Sequence, residues 1–224
     1  MKHEQSLADL FRNFMQAKAL EYGCRFHSFS LDGQDRDTGA DYVLTDAYRF
    51  AIVEFKYSER DLVSEKSKPR RLTLCQKLLD RDDMLALHDA CHFISWSEGP
   101  ERRVVTNIYR HEICTQAVFG QSCGLLAQRP STITRASARK FVEDFFSLKG
   151  SNSLSLAEFE DYMKWAMVET SGSTRTTLEL VAHNPLSNDL ALVQLNSIAE
   201  AQAWVQAHIA PPPPRTSHAP GGGI

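Results

Sequence analysis

The chain has 224 residues, a formal net charge of −3, 42% hydrophobic residues and 24% charged ones, the balance of a soluble globular protein long enough to bury a proper core. It holds no apolar run near the ~20 residues that a transmembrane helix needs, and its polar, amphipathic start is unlike a signal peptide; this excludes a membrane-embedded class and predicts a cytoplasmic protein with no membrane partner. The mild acidity excludes nucleic-acid binding through total charge, so any phosphate-binding surface has to come from a local basic segment.

Ser6 to Tyr22 carries Leu7, Leu10, Phe11, Phe14, Ala17 and Leu20 at close to helical period and is closed by Gly23, which predicts an amphipathic helix packed on a sheet. Arg25 to Leu31 reads as a first strand. Asp32 to Thr38 reads as a polar loop, with Asp35 and Asp37 as loop acids. Asp41 to Leu44 and Phe50 to Lys56 follow as two apolar strands joined by a turn over Thr45 to Arg49, a hairpin whose open end gathers Asp41, Glu54 and Lys56.

Along the second of these strands Ala51, Val53 and Phe55 point to one face, and Ile52, Glu54 and Lys56 to the other. Apolar residues on both faces mark a central, largely buried strand. A Glu and a Lys in such a strand have to be paired or metal-bound, because a desolvated lone charge is costly. Asp41 comes near Glu54 or Lys56, and two close carboxylates repel unless one is protonated or a cation lies between them. Hard oxygen ligands of this kind suit Mg²⁺ or Mn²⁺. A lysine beside the ion can hold or deprotonate an attacking water, or stabilise the charge developing on phosphorus.

Asp41 followed by Glu54-x-Lys56 on an apolar strand resembles the PD-(D/E)xK nuclease superfamily, with Ala40 where the family's Pro would stand. The resemblance implies a restriction-endonuclease-like core, a mixed sheet flanked by helices in αβββαβ order, and a metal-dependent nuclease hydrolysing phosphodiester bonds of DNA, or of RNA, in prokaryotic defence, restriction or repair. It implies Asp41 and Glu54 as ligands of Mg²⁺ or Mn²⁺, Lys56 as their catalytic neighbour, and a further acid from the first helix. Glu4 and Glu21 are the candidates for that acid, and antiparallel pairing of the first two strands places the helix start, hence Glu4, on the metal side. The alternative is an inactive nuclease-fold protein serving as a nucleic-acid-binding or scaffold subunit, with a protein partner or a homodimer. A third reading is an unrelated α/β protein in which Glu54 and Lys56 pair in solvent.

After Lys56 the densest positive stretch of the chain, Lys66, Lys68, Arg70 and Arg71 around Pro69, reads as a basic loop meeting the backbone of nucleic acid, DNA ahead of RNA; Glu59, Asp61 and Glu65 dilute it. Leu72 to Leu87 predicts the next helix, with Gln76 at a position where the family often orients substrate or water. Cys91 to Trp96 reads as a strand reached by this crossover, parallel to the Glu54 strand, and Arg103 to Tyr109 as a further strand. His88, His92 and His111 read as structural, since nothing in the sequence ties them to the acids.

Five cysteines without a Cys-x-x-Cys pair predict reduced thiols, and His111, Cys114 and Cys123 are too irregularly spaced for a zinc site. Ala136 to Phe146 reads as a helix. Ser155-Leu156-Ala157-Glu158 and Ser197-Ile198-Ala199-Glu200 are capping boxes opening two more, with strands over 176–182 and 190–195 between them. The chain thus divides into a nuclease-like core over 1–150, a C-terminal α/β extension packed on it over 151–210, and a Pro/Gly tail over 211–224.

Overall fold

A computed structural model describes residues 2–31, 39–68, 70–120, 126–147, 150–171, 180–183 and 192–209. The loop acids Asp35 and Asp37, residue Cys123, the start of each predicted C-terminal strand and the Pro/Gly tail lie outside the described residues. The elements in order are α1 (Lys2–Tyr22), β1 (His27–Ser30), β2 (Tyr42–Thr45), β3 (Phe50–Ser58), a 3-10 helix (Glu59–Ser67), α2 (Arg71–Leu78), α3 (Asp82–Cys91), β4 (His92–Glu98), β5 (Arg103–Ile108), α4 (Tyr109–Ile113), α5 (Gln116–Phe119), β6 (Ala136–Ser137), α6 (Ala138–Phe146), α7 (Leu156–Ser171), β7 (Leu180–His183), β8 (Leu192–Leu195) and α8 (Ile198–His208). No helix among the described residues is long and apolar enough to cross a membrane.

Among the described residues the strands form one mixed sheet of eight, in the order β6-β5-β4-β3-β2-β1-β7-β8. The expected hairpin is there, with Tyr42 opposite Val53 and Thr45 opposite Phe50. Its turn is held by the Asp46 carboxylate, which accepts the N–H groups of Tyr48 and Arg49 at 3.0 and 2.8 Å and a two-pronged contact from the Arg49 guanidinium. As expected, β1 runs antiparallel to β2, and β4 parallel to β3.

The alternation along β3 sorts two cores. Ala51, Val53 and Phe55 pack with Leu7, Phe11 and Met15 of α1 and with Phe141 and Phe145 of α6. Ile52, on the other face, joins Leu74, Leu78, Ile94, Tyr109, Tyr162 and Trp204 in the larger cluster. Glu54 and Lys56 continue this second face, so α2 and the 3-10 helix are the elements above them.

Four features differ from the sequence reading. The segment after Lys56 is not all loop: Glu59–Ser67 is a 3-10 helix that holds Lys66, opened by the Asp61 carboxylate, which accepts the backbone N–H and the hydroxyl of Ser58 at 3.0 and 2.8 Å, while Lys68 and Arg70 lie between it and α2, which Arg71 begins. The single helix predicted over 72–87 is two, because Asp82 and Asp83 favour a new N-terminus and Arg81 clasps Asp83 at 2.7 Å. Cys75 and Cys114 are joined as a disulfide across a sequence separation of 39, against the expectation of reduced thiols throughout. No local spacing announces this pair; it exists because α2 and the end of α4 meet. It also removes Cys114 as a zinc ligand, while Cys24 and Cys91 are free thiols. Finally, the C-terminal segment does more than pack on the core, since β7 bonds to β1 and lengthens the same sheet.

Candidate active site

Asp41 stands one residue ahead of β2. Its N–H donates to Val53 O at 3.0 Å, and its carboxylate Oδ2 accepts the N–H of Phe55 at 2.7 Å. The two contacts straddle Glu54, so the Asp41 and Glu54 carboxylates are neighbours by construction of the hairpin. Gly39 sets up this entry. Its φ is 86°, and a Cβ there would lie 2.9 Å from Arg71 Nη1 and 3.1 Å from His92 Cε1, so a side chain would be strained by its conformation and would crowd two buried side chains.

Glu54 is fully buried. Its Oε1 accepts from the Lys56 ammonium and, at 2.5 Å, from the Lys68 ammonium, while Oε2 has no hydrogen-bond partner. Glu65, also fully buried, faces the same two cations, its Oε1 lying 2.9 Å from Lys56 Nζ and 3.0 Å from Lys68 Nζ. Behind it, Oε2 accepts from Arg71 Nε at 3.1 Å and from the Tyr109 hydroxyl at 2.7 Å. Glu4, at the start of α1, completes the surround of Lys56 at 3.2 Å.

The electrostatics separate the acids. Burial drives Glu54 up to about 8, with the Asp41 and Glu65 charges adding to it and the two lysines opposing. Asp41 also rises through burial, against the Phe55 N–H and Lys56. For Glu65 burial acts upward too, but Lys56, Lys68, Arg71 and the Tyr109 hydroxyl outweigh it and hold the carboxyl below its ordinary range. Lys56 is driven down by burial and, more strongly, up by Glu54, Glu65 and Glu4, so it stays an ammonium. One carboxylate is thus firmly ionised, and the Asp41/Glu54 pair holds a proton or calls for a cation.

Buried groups behind the acids fix these residues. His92 stacks on Tyr109 with ring centroids 4.4 Å apart, and its Nε2 donates to Gly39 O at 3.0 Å. Its Nδ1 therefore accepts from the Tyr162 hydroxyl at 2.8 Å, and His88 Nδ1 donates to the same oxygen at 2.7 Å; His88 Nε2 is left to accept the Arg110 N–H. This bonding assigns both tautomers and leaves both rings neutral. Burial pushes His92 down to about 3 and His88 well below its ordinary value. The reading of His88 and His92 as structural agrees with this, and His111, bonded to Thr134 at 2.7 Å, lies apart from them.

The structure gathers Asp41, Glu54, Lys56 and Glu4 as expected and redistributes the rest. Arg71 is 1% exposed and Lys68 23%, so neither is a free phosphate contact; both belong to the acid cluster. Lys66 is exposed, whereas Arg70 is half-buried with its Nη1 buried, which leaves Lys66 as the exposed one of the four predicted basic contacts. Gln76 is on the exposed side of α2, whereas the buried side of that helix carries Arg71, Leu74, Cys75 and Leu78, so Gln76 does not join the acids. Glu65 and Tyr109 were not anticipated. The available signal was Leu62 followed three residues on by Glu65: a helical turn that buries one buries the other.

No family model matches the chain, and no curated protein or solved structure matches it. Roles for these residues therefore follow from their chemistry.

Proposed function

We propose that the protein is a metal-dependent phosphodiesterase of the PD-(D/E)xK nuclease type, with a restriction-endonuclease-like core and DNA ahead of RNA as substrate. The observation that carries the reading is the Asp41/Glu54 pair: two hard carboxylates held side by side, one fully buried with an oxygen that no hydrogen bond satisfies. That donor set fits Mg²⁺ or Mn²⁺. Asp41 and Glu54 would hold the ion, which when bound supplies Lewis-acid polarisation of the phosphate and an acidified water. Glu4 acts one step out, through Lys56.

The chain's own contribution is positional and electrostatic. Lys56, kept charged by three carboxylates, serves as a fixed cation for charge developing on phosphorus and not as a base. Exposed Lys66 near the end of the 3-10 helix contributes sequence-independent, salt-sensitive attraction to the substrate backbone.

The test is cleavage of single- and double-stranded DNA and RNA with Mg²⁺ or Mn²⁺, with wild type beside Asp41→Ala and Lys56→Ala. Each substitution is expected to lower the rate on the order of 10²- to 10³-fold, the usual loss when one stabilising group is removed. Equal trace activity in all three proteins defeats the reading. One observation favours a second reading, a non-catalytic nuclease-fold subunit: Lys68 already neutralises Glu54 from within the chain. Retention of nucleic-acid binding without cleavage under either metal would select it.

A further inference from the structure

The connection between β4 and β5 holds a residue against its local preference. Gly99-Pro100-Glu101-Arg102 closes the turn, with the Arg102 N–H donating to Gly99 O at 3.3 Å. Arg102 has φ 53°, a left-handed conformation that glycine takes at less cost. An arginine kept at such a position points to a use for its side chain. Its guanidinium carbon lies over the Tyr57 ring, 4.6 Å from the centroid, and its Nη1 reaches Ser97 Oγ at 3.4 Å. Arg102 is exposed and Tyr57 half-buried, so the pair forms a platform with the guanidinium on the water side.

This platform stands in a cleft of about 380 Å³ that Arg60, Ser97, Glu59 and Glu98 also line, a size within the range of small-ligand sites. Both acids of the cleft are already engaged: Arg135 holds Glu59 at 2.7 Å and Glu98 at 3.3 Å. Arg135 is fixed in turn by a two-pronged contact with buried Glu112 at 2.7 and 2.9 Å and by the Trp96 ring, 5.0 Å from its guanidinium carbon. Arg60 is exposed and makes no ion pair among the described residues. The cleft thus presents an aromatic-backed guanidinium beside an uncommitted cation. It opens at the end of β3, where Tyr57 directly follows Lys56.

We propose that this cleft binds one nucleotide unit of a single-stranded nucleic acid, its base stacked on the Arg102 guanidinium that Tyr57 backs and its phosphate on Arg60. The inference deepens the phosphodiesterase reading and rests on it for the choice of ligand. Guanidinium and aromatic faces stack on any base, so the cleft recognises an unpaired strand and not a sequence. A duplex keeps its bases stacked on one another and offers none without the cost of unpairing.

The experiment is fluorescence anisotropy of a labelled oligothymidylate, and of its duplex with oligodeoxyadenylate, in EDTA at low ionic strength, with thermal melts alongside. The proteins are full-length wild type, Arg102→Gly, Tyr57→Leu and the control Lys140→Met on α6, whose side chain is 60% exposed. Glycine fits the turn better than arginine does, so Arg102→Gly is expected to melt no lower than wild type and yet to bind the single strand about ten-fold more weakly, the order of loss when a base loses its stacking partner. Tyr57→Leu is expected to lose a similar factor; if it does not fold, Arg102→Gly decides. Lys140→Met follows wild type, and duplex binding changes little in any of them. Arg102→Gly that melts lower but binds as wild type does makes the arginine a clasp of the hairpin and overturns the inference. Equal affinities in all four proteins, or no binding of the single strand by wild type, overturn it as well, and the cleavage assay then judges the phosphodiesterase reading by itself. Equal losses on duplex and single strand, or displacement by thymidine monophosphate at the oligonucleotide's own concentration, overturn the single-strand assignment. Weakened single-strand binding in both variants of a protein that cleaves nothing with either metal keeps the cleft and removes the phosphodiesterase reading.

Discussion

Glu65 and His92 are both fully buried and polar, yet one is charged and the other neutral. Glu65 is kept charged by three cations and a hydroxyl, whereas burial keeps His92 neutral, with both ring nitrogens hydrogen-bonded. The pH dependence of stability follows from such signs. His88 and His92 have folded-state pKa values below the unfolded value, so the unfolded chain takes up their protons first. Their stabilisation is complete above about pH 6.5 and is lost as pH falls below it, down to about 3 for His92. Glu54 has the opposite sign. Its pKa is raised to about 8, so its contribution falls as pH rises from 4.5 to 8. Metal-free protein is expected to be most stable near pH 6.5, with the alkaline decline relieved by Mn²⁺. Urea midpoints from pH 4.5 to 8.5, with EDTA and with Mn²⁺, check this; a midpoint rising steadily to pH 8.5 in EDTA contradicts it. At this scale the sequence showed Asp41, Glu54 and Lys56, because alternation along one strand exposes awkward charges. It hid Glu65 and Arg71, since the adjacent Lys66 stays outside and gives the segment the look of a solvated loop.

The elements that roof the site are short and are held by cross-links as much as by propensity. Arg71 rides on α2 and Tyr109 on α4, and the Cys75–Cys114 disulfide ties these two helices together behind Glu65. Reduction, or Cys75→Ser, is expected to lower stability by about 2–4 kcal/mol, the usual value for a cross-link closing a loop of this length. Denaturant midpoints with and without reductant measure it, and Cys75→Ser should abolish the difference. Strands, hairpin and crossover were legible at this scale because hydrophobic period and turn residues are local signals. The break between α2 and α3, the 3-10 helix and the disulfide were not, since each depends on a neighbour brought close by the fold.

Across the whole molecule the C-terminal third is part of one structure with the first 150 residues. Phe159, Tyr162, Ala166 and Trp204 lie in the same buried cluster as Ile52 and Ile94, and Tyr162 bridges His88 and His92. A chain ended at residue 150 is expected to lose its cooperative thermal transition and to bind a hydrophobic dye; a sharp melt close to that of the full chain would mean that the segment is dispensable. The division of the chain at residue 150 was drawn from local patterns, and β7 pairing with β1 is a long-range contact that such patterns do not carry. The parallel pairing of β3 with β4 orders the assembly in time. A hairpin closes over a few residues, whereas a parallel partner waits for its entire connection. Asp41 and Glu54 therefore meet while Glu65, Lys68 and Arg71 are still unplaced, and the repulsion between the first two acids is met by solvent cations or protons until the crossover lays its own charges over them.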